Sequence, residues 1–229
     1  MVKNQEKTEM NVDMQGIGMT SQRTRSRLIV KLRDMGIVSE DVLSTIMNTP
    51  RHIFVDEALA SRAYENTALP IGYNQTISQP YIVARMVEVL LEQGGIRNVL
   101  EVGTGCGYQT AILAQLVDHV YSIERIEALL KKARGKLRLL KCNNVRGKYG
   151  DGNAGWSQYA PFDGIIVSAA PIGVPETLLE QLAMNGRLVI PVGSAGKQKL
   201  LLITRTEEGF QEKELDMVSF VPMLEGIVG

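Results

Sequence analysis

In the second half of the chain, short apolar runs alternate with stretches in which apolar residues recur every three or four positions. The runs predict β-strands over residues 99–102, 119–124, 145–149, 162–167 and 187–192, and the periodic stretches predict helices over residues 110–117, 127–140 and 176–182. Because the strands are apolar almost throughout, we expect a sheet that helices cover on both faces. The alternation predicts an α/β fold with a doubly wound, mostly parallel sheet.

The end of the chain departs from this alternation. Two extended runs, over residues 199–206 and 210–221, follow the last predicted parallel strand. They are joined by Glu207-Glu208-Gly209, which is typical of a hairpin turn. The sheet is therefore expected to finish in antiparallel strands.

The N-terminal part predicts a helical cover. Leu28, Leu32 and neighbouring apolar residues share one helical face, and Ser39 is placed to cap a second helix. A short Ala-rich helical piece follows over residues 57–63. Residues 1–22 are polar and show no sustained period, so we expect a mobile tail there.

A long, turn-rich and polar stretch, residues 64–80, separates the cover from the alternating region. Loops of this length in compact domains are often functional. We predict a single domain over residues 23–229. Within it, residues 23–95 form the helical cover and a substrate loop, and residues 96–229 form a Rossmann-like core.

Composition argues against several classes of protein. Lys and Arg together number 25, as do Asp and Glu, so the net charge is zero and no basic surplus points to nucleic acid. No apolar run approaches the roughly 18 residues of a membrane span, and the N-terminus lacks the apolar core of a signal peptide. With 2 cysteines and 2 histidines, a disulfide framework or a metal site is not expected. We expect a cytoplasmic protein that binds no metal, nucleic acid or membrane.

A glycine loop follows the first predicted strand, with Gly103, Gly105 and Gly107 at alternate positions and a predicted helix behind them. Strand, glycine loop and helix together bring a ligand's polar atoms against backbone N–H groups. Tyr108 stands where the nicotinamide fingerprint has its last glycine. Glu101 would repel a pyrophosphate but could hold a cation, which favours the amino-sulfonium end of S-adenosylmethionine. An ordinary tight turn between strand and helix remains the alternative.

Acidic residues also end the next two predicted strands, at the edge of the sheet where ligands bind. Glu124 stands about 20 positions after Gly103, where an acid reaches the ribose hydroxyls of a nucleoside. Asp151 lies between two glycines and suits an adenine amino group. Each acid has a plainer alternative: Glu124 could be a solvated acid paired with Arg125, and Asp151 could make an Asx turn.

These residues match a family pattern. The sequence resembles the protein-L-isoaspartate O-methyltransferases, in particular the bacterial form, over roughly residues 23 to 224. The glycine block is shared by methyltransferases in general. Thr76-Ile77-Ser78 is the specific match, because it lies outside the common cofactor fold. The matching blocks are 68–72, 75–81, 99–114, 122–125, 150–152, 162–167, 169–171, 186–193 and 220–222.

The resemblance implies an enzyme that transfers a methyl group from S-adenosylmethionine to the free α-carboxylate of L-isoaspartyl residues in damaged proteins, which begins their repair. It implies Ser78 as the catalytic residue, with Thr76, Ile77 and Ser78 closing over cofactor and substrate. Glu124 would hold the ribose, and Asp151 with Gly152 the adenine. The full set of implied cofactor contacts is Thr76, Ile77, Ser78, Glu101, Gly103, Thr104, Gly105, Gly107, Glu124, Arg125, Asp151 and Gly152. Isoaspartyl-containing proteins and peptides are then the partners, and we expect a monomer.

Two departures limit the resemblance. Some members carry histidines just after the Thr-Ile-Ser block, and none stands there in this chain, so no histidine contact is carried over. Residues 1–22 have no counterpart, and Met223 and Leu224 match only loosely, so no contacts are assigned there.

The chemistry fits a site without a general base. An α-carboxyl group with a pKa of about 3.5 is ionised at pH 7, so the acceptor needs no His or Lys to activate it. Ser78 is hypothesised to orient the acceptor. The alternatives are a small-molecule carboxyl methyltransferase, a DNA or amine N-methyltransferase, a dehydrogenase and a non-catalytic nucleoside-binding module. Residues 168–171 lack the amide and ring expected for N-methylation, and Tyr108 and Glu101 disfavour the dehydrogenase.

Overall fold

The computed structural model describes residues 18–229. Its helices are α1 Gln22–Asp34, α2 Glu40–Asn48, α3 Pro80–Leu91, α4 Tyr108–Leu113, α5 Glu127–Leu139 and α6 Glu176–Glu180. Its strands are β1 Leu69–Gly72, β2 Gln75–Ile77, β3 Asn98–Val102, β4 His119–Glu124, β5 Val145–Tyr149, β6 Phe162–Val167, β7 Leu182–Val192, β8 Gln198–Thr206 and β9 Gly209–Val218. Of the tail predicted over residues 1–22, residues 1–17 lie outside the described residues, and Gly18–Thr20 form a 3-10 turn.

Seven strands form one sheet in the order β5-β4-β3-β6-β7-β8-β9. The strands from β5 to β7 in this order are parallel to one another, and β8 and β9 add antiparallel strands at one edge. The strand order reverses between β3 and β6, and ligands bind at the carboxyl ends of the strands at such a switch point. The predicted Rossmann-like, doubly wound and mostly parallel sheet with antiparallel final strands is confirmed.

Two buried apolar clusters lie on the two faces of the sheet. Val99 belongs to the larger cluster, which also contains Leu32 of the N-terminal cover and Val87 of α3. Leu100, the next residue along β3, belongs to the other cluster with Leu178 of α6. Neighbouring residues of one strand thus point to opposite faces, and both faces are covered.

The N-terminal helices form the predicted cover. Gly36, with a φ of 98°, follows the end of α1 in the left-handed region. The Ser39 hydroxyl accepts a hydrogen bond from the Val42 N–H at 3.4 Å and caps α2. Glu88 of α3 accepts from the backbone N–H groups of Val38 and Ser39 at 2.7 and 2.8 Å. This carboxylate fastens the turn between α1 and α2 to the core.

The stretch predicted as a loop over residues 64–80 contains a β-hairpin, so the loop prediction is wrong for β1 and β2. Leu69 pairs with Ile77, and both side chains are buried. Tyr73 and Asn74 form a two-residue turn with φ values of 54° and 56°, as in a type I′ turn. The sequence pattern does not predict this hairpin, because Pro70 is unusual inside a strand and Tyr73 is an unusual residue for a turn position with a positive φ.

Two further boundaries differ from the prediction. The helix predicted over 110–117 begins at Tyr108 and ends at Leu113. β7 begins at Leu182, where the sequence predicts the end of a helix. Leu182 pairs with Phe162 and is fully buried, so its pairing to the sheet outweighs the helical pattern.

No helix within the described part of the chain is both long and apolar enough to cross a bilayer.

Candidate active site

A cavity of about 660 Å³ lies at the carboxyl ends of β3, β4 and β6. Its floor consists of residues 103–106 of the glycine loop with Glu124 and Gly152. Its roof is the hairpin β1–β2 together with Ser78. Roof and floor touch, because a Cβ built on Gly105 would lie 3.4 Å from Cδ1 of Ile71. The volume is typical of a site for a small molecule or cofactor.

The glycine loop adopts backbone angles that favour glycine. Gly103 and Gly105 line the cavity with φ values of 95° and 54°. Gly107, at a φ of 89°, is instead the N-cap of α4, and it does not belong to the cavity wall. A Cβ there would lie 3.2 Å from Cβ of Ala133 in α5. The position of Gly107 therefore serves close packing of the loop on α5.

Glu101 lies behind the floor, although its place before the glycine loop predicts that it holds the cationic end of the cofactor. Its side chain is 0% exposed. Oε2 accepts from the hydroxyls of Thr110 and Ser122 at 2.5 and 2.6 Å, and Oε1 accepts from Nε2 of Gln109 at 3.2 Å. The Ser122 hydroxyl is also 2.5 Å from that of Thr104 in the loop. The carboxyl group therefore links β3, β4 and α4 and supports the loop from beneath.

Burial raises the pKa of Glu101 to about 7, although the hydrogen bonds from its three donors oppose the rise. Near neutral pH this carboxyl is thus only partly ionised. Its burial, and not its charge state, is what removes Glu101 from the cavity wall. This is a correction to the role expected for Glu101.

Glu124 is well placed for the predicted ribose contact. It ends β4, lines the cavity and is 5% exposed. Its carboxylate accepts from the Gly105 N–H at 2.8 Å and from the Ile126 N–H at 2.9 Å. Burial raises its pKa, and these two hydrogen bonds oppose the rise. Each oxygen retains acceptor capacity for a hydroxyl of a bound ligand.

Asp151 makes the Asx turn that the sequence analysis left open. Its Oδ1 accepts from the Asn153 N–H at 2.9 Å, and its Oδ2 accepts from the Gly226 N–H at 2.6 Å. Burial acts to raise the pKa of Asp151, but these hydrogen bonds outweigh it and hold the pKa below its ordinary value. Asp151 itself is not part of the cavity wall, and its carboxylate is bound to the C-terminal segment through Gly226.

Gly152 lines the cavity beside this turn. A Cβ at Gly152 would overlap Cγ1 of Val102, so only glycine fits the position. Arg125 also lines the cavity, and its guanidinium donates to the carbonyls of Gly226 and Glu225 at 3.1 and 3.2 Å. Arg125 thus holds the C-terminal segment beside the cavity rather than pairing with Glu124.

The roof contributes Thr76, Ile77 and Ser78 to the cavity wall. Thr76 is exposed, Ile77 is buried and Ser78 is half-buried. The backbone carbonyl of Ser78 accepts from Nη2 of Arg51 at 2.8 Å. Within residues 18–229 no protein group pairs with the Ser78 hydroxyl, so the hydroxyl is available to a ligand.

Gln109 is a site residue that the sequence analysis missed. Its Nε2 donates to Glu101 and, at 2.9 Å, to the hydroxyl of Ser168 at the end of β6. Its Oε1 is buried without a hydrogen-bond partner in the described residues, and the side chain lines the cavity. Gln109 lies just before the helix predicted over residues 110–117, and nothing in the local sequence shows that its side chain faces the cavity, because the helix begins at Tyr108 in the structure.

A second missed part of the wall is the end of β9 together with the segment that follows it. Residues 217–224 line the cavity, including Met223 and Leu224, to which no contacts were assigned. Gln198 fixes this segment, since its amide accepts from the Phe220 N–H at 2.5 Å and donates to the Phe220 carbonyl at 3.0 Å. This wall comes from the antiparallel end of the sheet, far in sequence from the glycine loop.

The residues present fit S-adenosylmethionine. The orphan acceptor Oε1 of Gln109 suits an ammonium group, and the Glu124 carboxylate suits ribose hydroxyls. The described residues contain no group of three His, Cys, Asp or Glu side chains that could hold a metal ion. Fold and site together define an S-adenosylmethionine-dependent methyltransferase.

Comparison with known proteins places the chain within this class. Residues 23–227 match the family model of protein-L-isoaspartate(D-aspartate) O-methyltransferase. The chain belongs to this family. The protein-L-isoaspartate O-methyltransferase of Halorhodospira halophila is 60% identical over 213 residues, which cover 93% of this chain and 97% of the relative. That of Pseudomonas paraeruginosa is 60% identical over 208 residues, covering 91% of this chain and 99% of the relative.

Two solved structures with the same family description share the fold of this chain. A protein-L-isoaspartate O-methyltransferase superposes with a TM-score of 0.80 at 25% identity, covering 89% of this chain and 67% of that one. A Plasmodium falciparum protein of the same description, solved in complex with S-adenosyl-L-homocysteine, gives a TM-score of 0.76 at 26% identity, covering 86% and 97%.

Proposed function

We propose that this chain transfers a methyl group from S-adenosylmethionine to the free α-carboxylate of L-isoaspartyl residues in damaged proteins and peptides, and that Ser78 orients this carboxylate. Family membership supports the reaction. The observation that supports the role of Ser78 is that this residue lines the cavity while no protein group within residues 18–229 pairs with its hydroxyl.

The residues suit methyl transfer to a carboxylate. S-adenosylmethionine supplies an electrophilic methyl group attached to a sulfonium. The acceptor is already ionised at pH 7, so the chain needs no base and no proton moves. A hydroxyl such as that of Ser78 can hold one carboxylate oxygen without the tight ion pair that would reduce its nucleophilicity. Correct placement of two reacting groups can lower a barrier by about 7–11 kcal/mol.

We propose four kinds of cofactor contact in the cavity. Glu124 accepts from the ribose hydroxyls, and the backbone of Gly152 lies against the adenine, with Asp151 behind it. Gly103 and Gly105 allow the cofactor to approach the backbone, while Gln109 accepts from the ammonium group. Glu101 and Gly107 act indirectly, by supporting the loop.

Labelled S-adenosylmethionine tests the reaction directly. The enzyme is incubated with matched isoaspartyl and aspartyl peptides, and base-labile methyl ester is counted. Ester on the isoaspartyl peptide alone is expected. Ester on both peptides, or on neither, contradicts the proposed substrate, and ester on small carboxylic acids alone supports the small-molecule alternative.

The Ser78→Ala variant tests the acceptor role. We expect kcat for the isoaspartyl peptide to fall about 10- to 100-fold, the value of one hydrogen bond to a charged group. Affinity for S-adenosylhomocysteine should stay within about twofold of the wild type, because the floor is intact. Ser157→Ala, at an exposed serine outside the cavity, is the matched control. Unchanged kcat in Ser78→Ala contradicts the role.

We also propose that residues 23–229 are one domain acting as a cytoplasmic monomer without nucleic-acid or membrane partners. The zero net charge and the free thiols of Cys106 and Cys142 support this. Light scattering with size-exclusion chromatography measures the oligomeric state, and a stable dimer would contradict the proposal.

A further inference from the structure

Arg51 is a buried cation directly beneath the roof. It opens the 3-10 turn Arg51–Phe54 and is 0% exposed. Within residues 18–229 it forms no ion pair. Its guanidinium carbon lies 4.8 Å from the ring centre of Tyr108, which lines the cavity. Burying a charge without an opposite charge is costly, so the position needs an explanation.

The guanidinium ties together the two ends of the hairpin. Nε donates to the Ala63 carbonyl at 2.9 Å, and Nη2 donates to the carbonyls of Thr67 and Ser78 at 3.5 and 2.8 Å. Ala63 and Thr67 precede β1, and Ser78 follows β2. One planar side chain therefore sets where Ser78 stands relative to the floor, which a lysine ammonium on a flexible stem could not reproduce.

The charge of Arg51 is incompletely compensated by the protein. Its Nη1 is buried without a close hydrogen-bond partner in the described residues. Burial lowers the pKa of Arg51, although the Tyr108 side chain is the neighbour that acts most to raise this pKa, and an arginine keeps its proton at neutral pH. Carbonyl dipoles and an aromatic face stabilise the cation only in part. A positive potential therefore reaches the Ser78 side of the cavity through a poorly screening interior.

We propose that Arg51 is a positioning residue for the acceptor: it fixes the Ser78 backbone, and its buried positive charge favours an ionised carboxylate beside Ser78. This inference rests on the function proposed above. It predicts that the site selects an anionic acceptor over a neutral group of the same shape, without the direct arginine clamp that would hold the nucleophile too tightly.

Charge selectivity distinguishes this role from a purely structural one. Two peptides are compared that differ only at the isoaspartyl residue, one with the free α-carboxylate and one with the neutral carboxamide. Their dissociation constants are measured on the full-length enzyme saturated with S-adenosylhomocysteine. The wild type should bind the anionic peptide more tightly. In Arg51→Met the ratio of the two constants should fall about tenfold, while Arg51→Lys should keep most of it.

Arg187→Met is the matched control. Arg187 is also buried, at 2% exposure, but it pairs with Glu92 at 3.4 Å and does not belong to the cavity wall. This variant should lose stability as Arg51→Met does, yet keep the wild-type ratio. An unchanged ratio in Arg51→Met, or an equal fall in Arg187→Met, overturns the electrostatic part of the proposal.

Arg51→Lys tests whether the planar guanidinium fixes the Ser78 backbone. It also provides a test of the proposal if Arg51→Met does not fold. Because lysine retains the charge but not the planar fork, kcat should fall about tenfold while KM for S-adenosylmethionine is unchanged. A wild-type kcat in Arg51→Lys contradicts the role. Failure of the proposed function would look different, because the wild type itself would then form no ester on the isoaspartyl peptide.

Discussion

The floor and the roof of the cavity are built in different ways. The floor stands at the ends of parallel strands, where the backbone pairing of β3 and β4 brings Gly103 and Glu124 to the same edge of the sheet. The roof is a hairpin of two short strands, placed by side chains such as Arg51 and Asn66. The Oδ1 of Asn66 accepts from the Tyr81 N–H at 2.9 Å at the start of α3.

This difference separates two tasks. In the function proposed above, the floor binds a cofactor common to many methyltransferases, and its proposed contacts are backbone groups, the strand-end carboxylate of Glu124 and the side chain of Gln109. In the same proposal the roof selects the acceptor, and the position of the roof depends on a few contacts between distant residues. Substitutions in the floor should therefore change the affinity for the cofactor. Substitutions in the roof should change the activity on the acceptor or the stability of the hairpin, and should leave the affinity for the cofactor as it is.

The largest expected effect is that of Glu124→Ala on the floor. Loss of two charge-assisted hydrogen bonds to the ribose should weaken S-adenosylhomocysteine binding about 100- to 1,000-fold, or about 3–4 kcal/mol. Isothermal titration calorimetry measures this dissociation constant. Glu127→Ala, an exposed acid at the start of α5, is the control and should bind normally. Near-normal binding by Glu124→Ala would show that Glu124 does not hold the ribose.

The second-largest expected effect is the dependence of the protein's stability on pH that Glu101 causes. Its folded pKa of about 7 lies above that of the unfolded chain, so the folded state binds the proton more tightly. The free energy of unfolding should therefore fall by about 3 kcal/mol as pH rises from about 4.5 to about 7. Urea unfolding at several pH values measures this slope.

Glu101→Gln should lack that slope, because the amide does not titrate. The difference in stability between wild type and variant should thus be most unfavourable to the variant at low pH and shrink as pH rises. Parallel pH curves for the two proteins would show that Glu101 is not the group responsible.

Gly152→Ala should have a smaller effect on the floor. The new methyl group would overlap Val102 in the sheet, which should destabilise the protein by about 1–3 kcal/mol and weaken cofactor binding. Gly135→Ala, inside α5 where a Cβ meets no atom within 4 Å, is the matched control and should stabilise by about 0.5–1 kcal/mol. If thermal unfolding showed that both substitutions change the stability in the same direction, the close packing at Gly152 would be contradicted.

The smallest expected effect concerns the roof. Tyr73 is 52% exposed and holds a φ of 54°, which asparagine tolerates better. Tyr73→Asn should stabilise the hairpin by about 0.5 kcal/mol. Hydrogen exchange of the β1 and β2 amides measures this, and the dissociation constant of S-adenosylhomocysteine should not change. Faster exchange in the variant would contradict the type I′ assignment.

The sequence predicted the floor more completely than the roof. The strand ends at 102 and 124 follow from local hydrophobic patterns and the turn at 151 from its flanking glycines, and in the structure Val102, Glu124 and Gly152 line one cavity. Residues 76–78 were singled out from a family resemblance, but the hairpin that carries them was predicted as a loop. Glu101 was assigned a contact with the cofactor that its burial excludes, and Gln109 was missed.

The sequence by itself determined the α/β alternation, the glycine loop and the acid at the end of β4, because these depend on residues near one another in the chain. Only the tertiary structure decided which side chains face the cavity and which lie behind it. It alone joined Arg51 to Ser78 across 27 positions and Asp151 to Gly226 across 75. Such contacts arise from packing between separate elements, and no local pattern of residues encodes them.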